Sequence, residues 1–189
     1  MVGFEAVSYS NKETKIGIAR VNELAKREDT YGLISELRSG AEDGTISVRA
    51  WAARKLGELR APEAAEPLAR LLADPDERVQ VTALIALGSI ASEKAKSILR
   101  SKLRQASGVP QRVAAEELGR LRDPDAKSLL AGLLSSSDAR LRRSVAVALA
   151  AYGDHRLLDQ IDSAIRDESA WRRRRIRRFA RDRARRQRG

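Results

Sequence analysis

Cysteine is absent from the 189 residues, and histidine occurs once, at His155. Without thiols there are no disulfides, no thiolate zinc sites and no cysteine nucleophiles. One imidazole cannot build a histidine-rich metal centre, so neither a metal nor a cofactor is expected. Aromatic residues make up 4% of the chain against 42% hydrophobic residues, so the core must be built from Ala, Leu, Ile and Val rather than rings. No uninterrupted apolar run approaches the ~20 residues a membrane helix needs, and the first twenty residues lack the apolar core of a signal peptide. The expectation is a soluble, unexported, cytoplasmic chain with no membrane span. Glycine-rich phosphate loops are missing as well.

What is abundant is arginine. Lys and Arg number 37 against 26 Asp and Glu, a formal charge of +11, and 29 of these cations are arginines. From Glu168 to Gly189 eleven arginines stand against only Glu168 and Asp182, so +9 of the +11 belongs to that end. A nearly neutral body with one cationic end suggests a polyanionic partner.

The body repeats itself. Leu56-Gly57, Leu87-Gly88, Leu118-Gly119 and Leu149-Ala150 recur at a step of 31 residues. Nine residues before the small position stand Val48, Val79, Pro110 and Leu141; five before, Ala52, Ala83, Ala114 and Val145; four before, Ala53, Leu84, Ala115 and Ala146. These offsets trace one stripe of an α-helix. A second helix follows at the same period, carrying Leu68, Leu99, Leu130 and Ile161, then Leu72, Leu103, Leu134 and Ile165. Between the helices come Ala61-Pro62, Asp123-Pro124 and Asp154-His155, where proline suits a first helical turn and Asp123 and Asp154 suit its cap.

An earlier, more divergent copy is expected from helices near 13–27, with Ile16, Val21 and Leu24 inward, and near 31–38, with Leu33, Ile34 and Leu37 inward. Ser10 and Glu13 have capping-box spacing. Helical hairpins of this kind cannot bury their apolar stripes alone and must stack. The recurring Gly or Ala lets a neighbouring backbone approach, although glycine costs about 1 kcal/mol of helix propensity against Ala.

The run Val48-Arg-Ala-Trp-Ala-Ala-Arg-Lys-Leu-Gly-Glu-Leu59, followed by Pro62-Glu-Ala-Ala-Glu-Pro-Leu-Ala-Arg-Leu-Leu72 and Asp74-Pro75-Asp76, resembles the HEAT-like repeats of the phycobilisome-lyase type. The resemblance covers about 13–167. It implies an all-α, right-handed α-solenoid of about five HEAT-like helix pairs plus a basic C-terminal helix. The expected organisation is an N-terminal arm at 1–12, the repeat array at 13–167 and an Arg-rich helix or tail at 168–189. Such arrays are mostly scaffolds, and the family also includes chromophore lyases, a hydroxylase and DNA glycosylases. The hydroxylase members use several His and Glu metal ligands, which one His cannot supply, and no segment here carries the acidic and aromatic site residues of the glycosylases. Fold alone does not assign function.

The terminal helix is the candidate site. At 100° per residue, Arg173, Arg174, Arg177, Arg178, Arg181, Arg185 and Arg188 fall within an arc of about 140°. The guanidinium fork suits phosphate because it donates two parallel hydrogen bonds and keeps its charge. Like charges one turn apart repel, so a counter-anion would relieve the ridge. Trp171, Ile176, Phe179 and Ala180 lie opposite at helix-stripe spacing and are expected to pack, while Arg175 falls where Ala52, Ala83, Ala114 and Val145 stand in the other copies.

Possible secondary binding residues are Lys94, Lys96, Arg100 and Arg104 on one second helix, together with Arg142 and Arg143 at the start of a first helix, where Arg49 and Arg112 also occur. His155 takes the place of Pro62 and Pro124 and is expected to be structural or surface-exposed. The reading is a non-enzymatic binding scaffold anchored to nucleic acid, RNA or a ribonucleoprotein ahead of DNA. The alternative is a protein–protein adaptor that uses the curved repeat surface, with the tail on an acidic partner.

Overall fold

The computed structural model describes residues 12–42 and 46–186, with side chains at all of these positions except 39–42, 46 and 47. The proposed N-terminal arm, Ser10 of the expected capping box and Arg188 of the ridge lie outside the described residues. Every regular element among the described residues is helical. In chain order these are α1 Lys12–Lys26, α2 Thr30–Glu42, α3 Ile46–Glu58, α4 Ala65–Arg70, α5 Glu77–Ile90, α6 Glu93–Gln105, α7 Gly108–Leu121, α8 Lys127–Gly132, α9 Ala139–Tyr152, α10 Leu158–Ala164 and α11 Ala170–Arg186. The fold class is all-α, of the α-solenoid type. No helix among the described residues is long and apolar enough to cross a membrane.

The chain forms two compact units, one ending at Ile90 with α1–α5 and one beginning at Ala91 with α6–α11. In the first, α3 packs between α2 and α5 and also touches α1. In the second, α7 packs on α6 and α9, and α9 in turn on α11. The short second helices start and end on 3₁₀ turns, at Pro62–Ala64 and Leu71–Ala73 around α4 and at Pro124–Ala126 and Leu133–Ser135 around α8. Proline at the start of the turn explains why α4 and α8 begin late: the ring fixes φ and withholds a donor that the first turn does not need.

The 31-residue stripes are the core. Leu56, Leu87, Leu118 and Leu149 are buried, as are Leu68, Leu99, Leu130 and Ile161 of the second helices. The small position does what its chemistry requires. A Cβ built on Gly57 would stand 2.8 Å from the Ala86 Cα, and one on Gly119 would stand 2.5 Å from the Ala148 Cα. Two first helices thus meet backbone to backbone in each unit, and only glycine fits the approach.

Two local expectations change. Ile16 is largely exposed, and α1 instead buries Thr14, Gly17 and Val21, since Gly17 lets the Val48 side chain come against its backbone. Asp154 caps its turn by accepting from the Arg156 amide at 2.9 Å, but Asp123 does not cap. Its buried carboxylate takes two hydrogen bonds from Arg100 Nη1 at 2.9 and 2.7 Å, a stronger partner than a backbone amide. The first helices also end on left-handed residues at the repeat step, Arg60, Ala91 and Arg122, with Gly153 in the last copy.

Gly119→Ala is expected to lower stability by about 1–3 kcal/mol through overpacking, although it adds helix propensity. Gly132→Ala at the exposed end of α8, where nothing lies within 4 Å of the added methyl, should raise stability by up to about 1 kcal/mol. Chemical denaturation of both variants checks this, and a stabilising Gly119→Ala would contradict the close-approach account.

Candidate nucleic-acid interface

Helix α11 buries only three of its side chains, all small or branched, so its docking depends on these and on ion pairs. Ile176, Ala180 and Ala184, four residues apart, are its buried stripe, and the helix lies against α9 with lesser contact to α10. Arg177 Nε donates to Asp162 Oδ1 of α10 at 2.6 Å. Glu168, nearly buried, accepts from Arg143 of α9 at 3.2 Å and from Arg172 of α11 at 3.2 Å. Arg173 Nη1 donates to the Arg166 carbonyl at 2.5 Å.

The expected ridge is therefore divided. Arg173 and Arg177 turn towards α10 and hold the helix. Arg174, Arg178, Arg181 and Arg185 stay exposed within an arc of about 60° at 3.6 residues per turn. Arg174, Arg181 and Arg185 have no protein partner among the described residues. Arg178 reaches Asp182 only at 3.9 Å, with both side chains more than half exposed, a geometry that contributes little.

The aromatic residues depart from the packing expected of them. Trp171 is 64% exposed and Phe179 38% exposed. Each ring carries an arginine one turn further on: the Arg175 guanidinium carbon lies 4.9 Å from the Trp171 ring centre, and that of Arg183 lies 5.4 Å from Phe179. Trp171–Arg175–Phe179–Arg183 is thus a line of alternating ring and cation beside the arginine row. Trp51 differs. It is half-buried, its indole N–H donates to Asn22 Oδ1 at 2.8 Å, and Arg54 and Lys55 cover its ring. The signal for the exposed line was the four-residue alternation itself.

The secondary cationic cluster is mostly engaged with the chain's own oxygens. Lys96 pairs with Glu93 at 2.6 Å. Arg100 is held by Asp123 and, at 3.2 Å, by Asp125, and the Asp123 hydrogen bond first of all raises its already high pKa. Arg143 is spent on Glu168. Lys94 and Arg104 are exposed. Arg142 donates from Nη1 to the Ser136 and Ser137 carbonyls at 2.8 and 3.1 Å and from Nε to the Ala164 carbonyl at 3.2 Å, and it pairs with Asp167.

These contacts belong to a pattern that sequence reasoning missed. Arg49, Gln80, Gln111 and Arg142 occupy one phase of the 31-residue repeat, and each clasps a loop or helix end. Arg49 pairs with Asp74 at 3.0 Å with both side chains almost buried, Gln80 donates to the Asp74 carbonyl at 2.7 Å, and Gln111 donates to the Leu103 carbonyl at 3.1 Å. A long donor side chain recurring eight residues before each small residue was the available signal.

His155 is exposed at the start of its turn, and its imidazole meets no carboxylate or hydroxyl among the described residues. The neighbouring Asp154 carboxyl is held below its ordinary pKa, first by Lys127 and then by the Arg156 amide. No group of three or more His, Asp or Glu among the described residues is arranged to hold a metal ion. A groove of about 920 Å³ runs past α8 and α10, walled by Leu134 and Ala164 with Gln160, Asp159 and Arg166 on its rim.

Residues 33–108 and 100–180 each match the profile of HEAT repeats. No curated protein matches the chain in sequence. Among solved structures, an engineered protein is 17% identical, with a TM-score of 0.58 over 93% of this chain and 92% of its own. Human deoxyhypusine hydroxylase, solved in complex with glycerol, is 18% identical, with a TM-score of 0.42 over 90% of this chain and 78% of that one. At these identities the likeness to the engineered protein speaks to fold alone.

If Arg142 is a structural clasp, Arg142→Met should lower stability by about 2 kcal/mol, because charge-assisted hydrogen bonds are lost and carbonyls are left to find other partners. Arg104→Met on exposed surface should stay within about 0.5 kcal/mol. Urea denaturation of the two variants distinguishes a clasp from a ligand residue.

Proposed function

The chain belongs to the HEAT-repeat family, and from that premise we propose that it is a non-enzymatic binding scaffold that anchors to the phosphate backbone of nucleic acid through α11. The observation that carries this reading is the row Arg174, Arg178, Arg181 and Arg185. It is exposed on a docked helix, and among the described residues no carboxylate lies closer to it than the 3.9 Å of Asp182. A row of like charges fixed one turn apart is unfavourable alone and is relieved by a polyanion. Arginine suits that partner because its fork matches phosphate oxygens.

RNA or a ribonucleoprotein is favoured over DNA because α11 belongs to neither a zipper nor a helix-turn-helix reader. Phosphate contacts of this kind hold register without reading sequence, so the binding is not sequence-specific. The repeat units then supply surface for protein partners. A second reading, an adaptor for an extended polypeptide, draws on the groove beside α8 and α10, whose apolar wall and polar rim suit a peptide chain.

Salt dependence tests the first reading. Four phosphate contacts predict that log affinity for a duplex falls with log salt at a slope of about −3.6. Changing Arg174, Arg178, Arg181 and Arg185 together to Gln should remove most of that slope. Absence of binding by the intact chain at moderate salt, with a peptide ligand retained, would favour the adaptor.

A further inference from the structure

We propose that α11 takes single-stranded nucleic acid, stacking unpaired bases on Trp171 and Phe179 while the adjoining arginine row holds the backbone. This inference rests on the reading of that row as a phosphate anchor, and it adds which form of nucleic acid the helix accepts.

The rings are not needed to dock the helix. Ile176, Ala180 and Ala184 already form its buried stripe, and Trp171 and Phe179 stand on the open side. Two exposed rings on a helix that otherwise presents mainly arginine form the arrangement that single-strand binders use: aromatic platforms beside a cationic track. The guanidinium groups of Arg175 and Arg183 lie over one face of each ring. They steady the side chains and raise the local positive potential, leaving the remaining ring surface open to a base.

Spacing selects the strand. Eight residues separate the rings, about 12 Å along a helix that rises 1.5 Å per residue. Consecutive bases in a duplex are only about 3.4 Å apart on each strand, and their faces are buried against one another. A duplex therefore offers the rings nothing, whereas an extended strand with splayed bases can reach both. The row from Arg174 to Arg185 runs alongside for about 16 Å, which keeps phosphates on one side and bases on the other.

The surface next to Trp171 continues the argument. A cavity of about 270 Å³ opens there, with Val147 and Ile176 as its apolar part and Glu116, Ser144 and Arg175 as donors and acceptors. Ser144 Oγ donates to Glu116 Oε1 at 2.7 Å, so this polar edge is already ordered. A base stacked on Trp171 would have apolar contact and polar groups within the same pocket.

The test uses the full chain with a labelled twelve-nucleotide strand of mixed sequence, as RNA and as DNA, each alone and annealed to its complement. Anisotropy at one salt concentration gives the four affinities, and the RNA and DNA arms separate the two sources of a single strand. Trp171→Ala with Phe179→Ala should weaken single-strand binding at least fivefold per ring and leave duplex binding unchanged, as expected where stacking supplies the difference. The single strand should also quench tryptophan fluorescence, and Trp171→Phe should abolish that quenching. Both rings are exposed, so the variants are expected to fold, which circular dichroism checks. If the intact chain binds strand and duplex alike, without quenching, the stacking inference falls while the phosphate anchor stands. If it binds neither, the anchor falls and the inference with it.

Discussion

Helical hairpins as short as these bury little surface alone, so the structure depends on how closely the first helices of neighbouring repeats approach. That distance is set where Gly57 meets Ala86 and Gly119 meets Ala148. With no side chain on one helix and a methyl on the other, backbones come into direct contact, and Leu56, Leu87, Leu118 and Leu149 beside them are buried. The glycine sacrifices helix propensity, about 1 kcal/mol, and the packing it permits outweighs that loss.

Long polar side chains tie helices to neighbouring loops and helix ends. Asp74 is the clearest junction: its carboxylate takes Arg49, its carbonyl takes Gln80, and its other oxygen accepts from the Asp76 amide. The same economy governs α11. The helix buries only Ile176, Ala180 and Ala184, and Arg143–Glu168–Arg172 and Arg177–Asp162 add to what that stripe supplies. Two of the arginines that looked alike in sequence, Arg173 and Arg177, are thereby committed to structure. The division between holding arginines and open ones is what turns a basic segment into a defined row.

The repeat, its phase and its small residues were legible in the sequence because burial at a fixed period leaves a periodic composition. The helix ends were less legible. Arg60, Ala91 and Arg122 adopt left-handed conformations that usually advertise themselves as glycine, and only Gly153 does so here. The terminal arginines were legible as a ridge, but not which of them would meet Asp162 or the Arg166 carbonyl, since those partners are 15 and 7 residues away. Trp171 and Phe179 misled for a plainer reason. Their spacing is that of a core stripe, and spacing cannot say whether another helix is there to cover it. Arg142 and Arg143 looked in sequence like cations free near a helix start, and here both meet acceptors of the chain itself.

The clasps at Arg49, Gln80, Gln111 and Arg142 share one position in the repeat but not one strength. Those at either end are ionic, and hydrogen bonds to ionised groups are roughly twice as strong as neutral ones; the two between them are amides donating to carbonyls. Under a stretching load the amide clasps would give way first, while the ionic ones still held. Each unit thus pairs one firm fastening with one that yields sooner, Arg49 with Gln80 and Arg142 with Gln111.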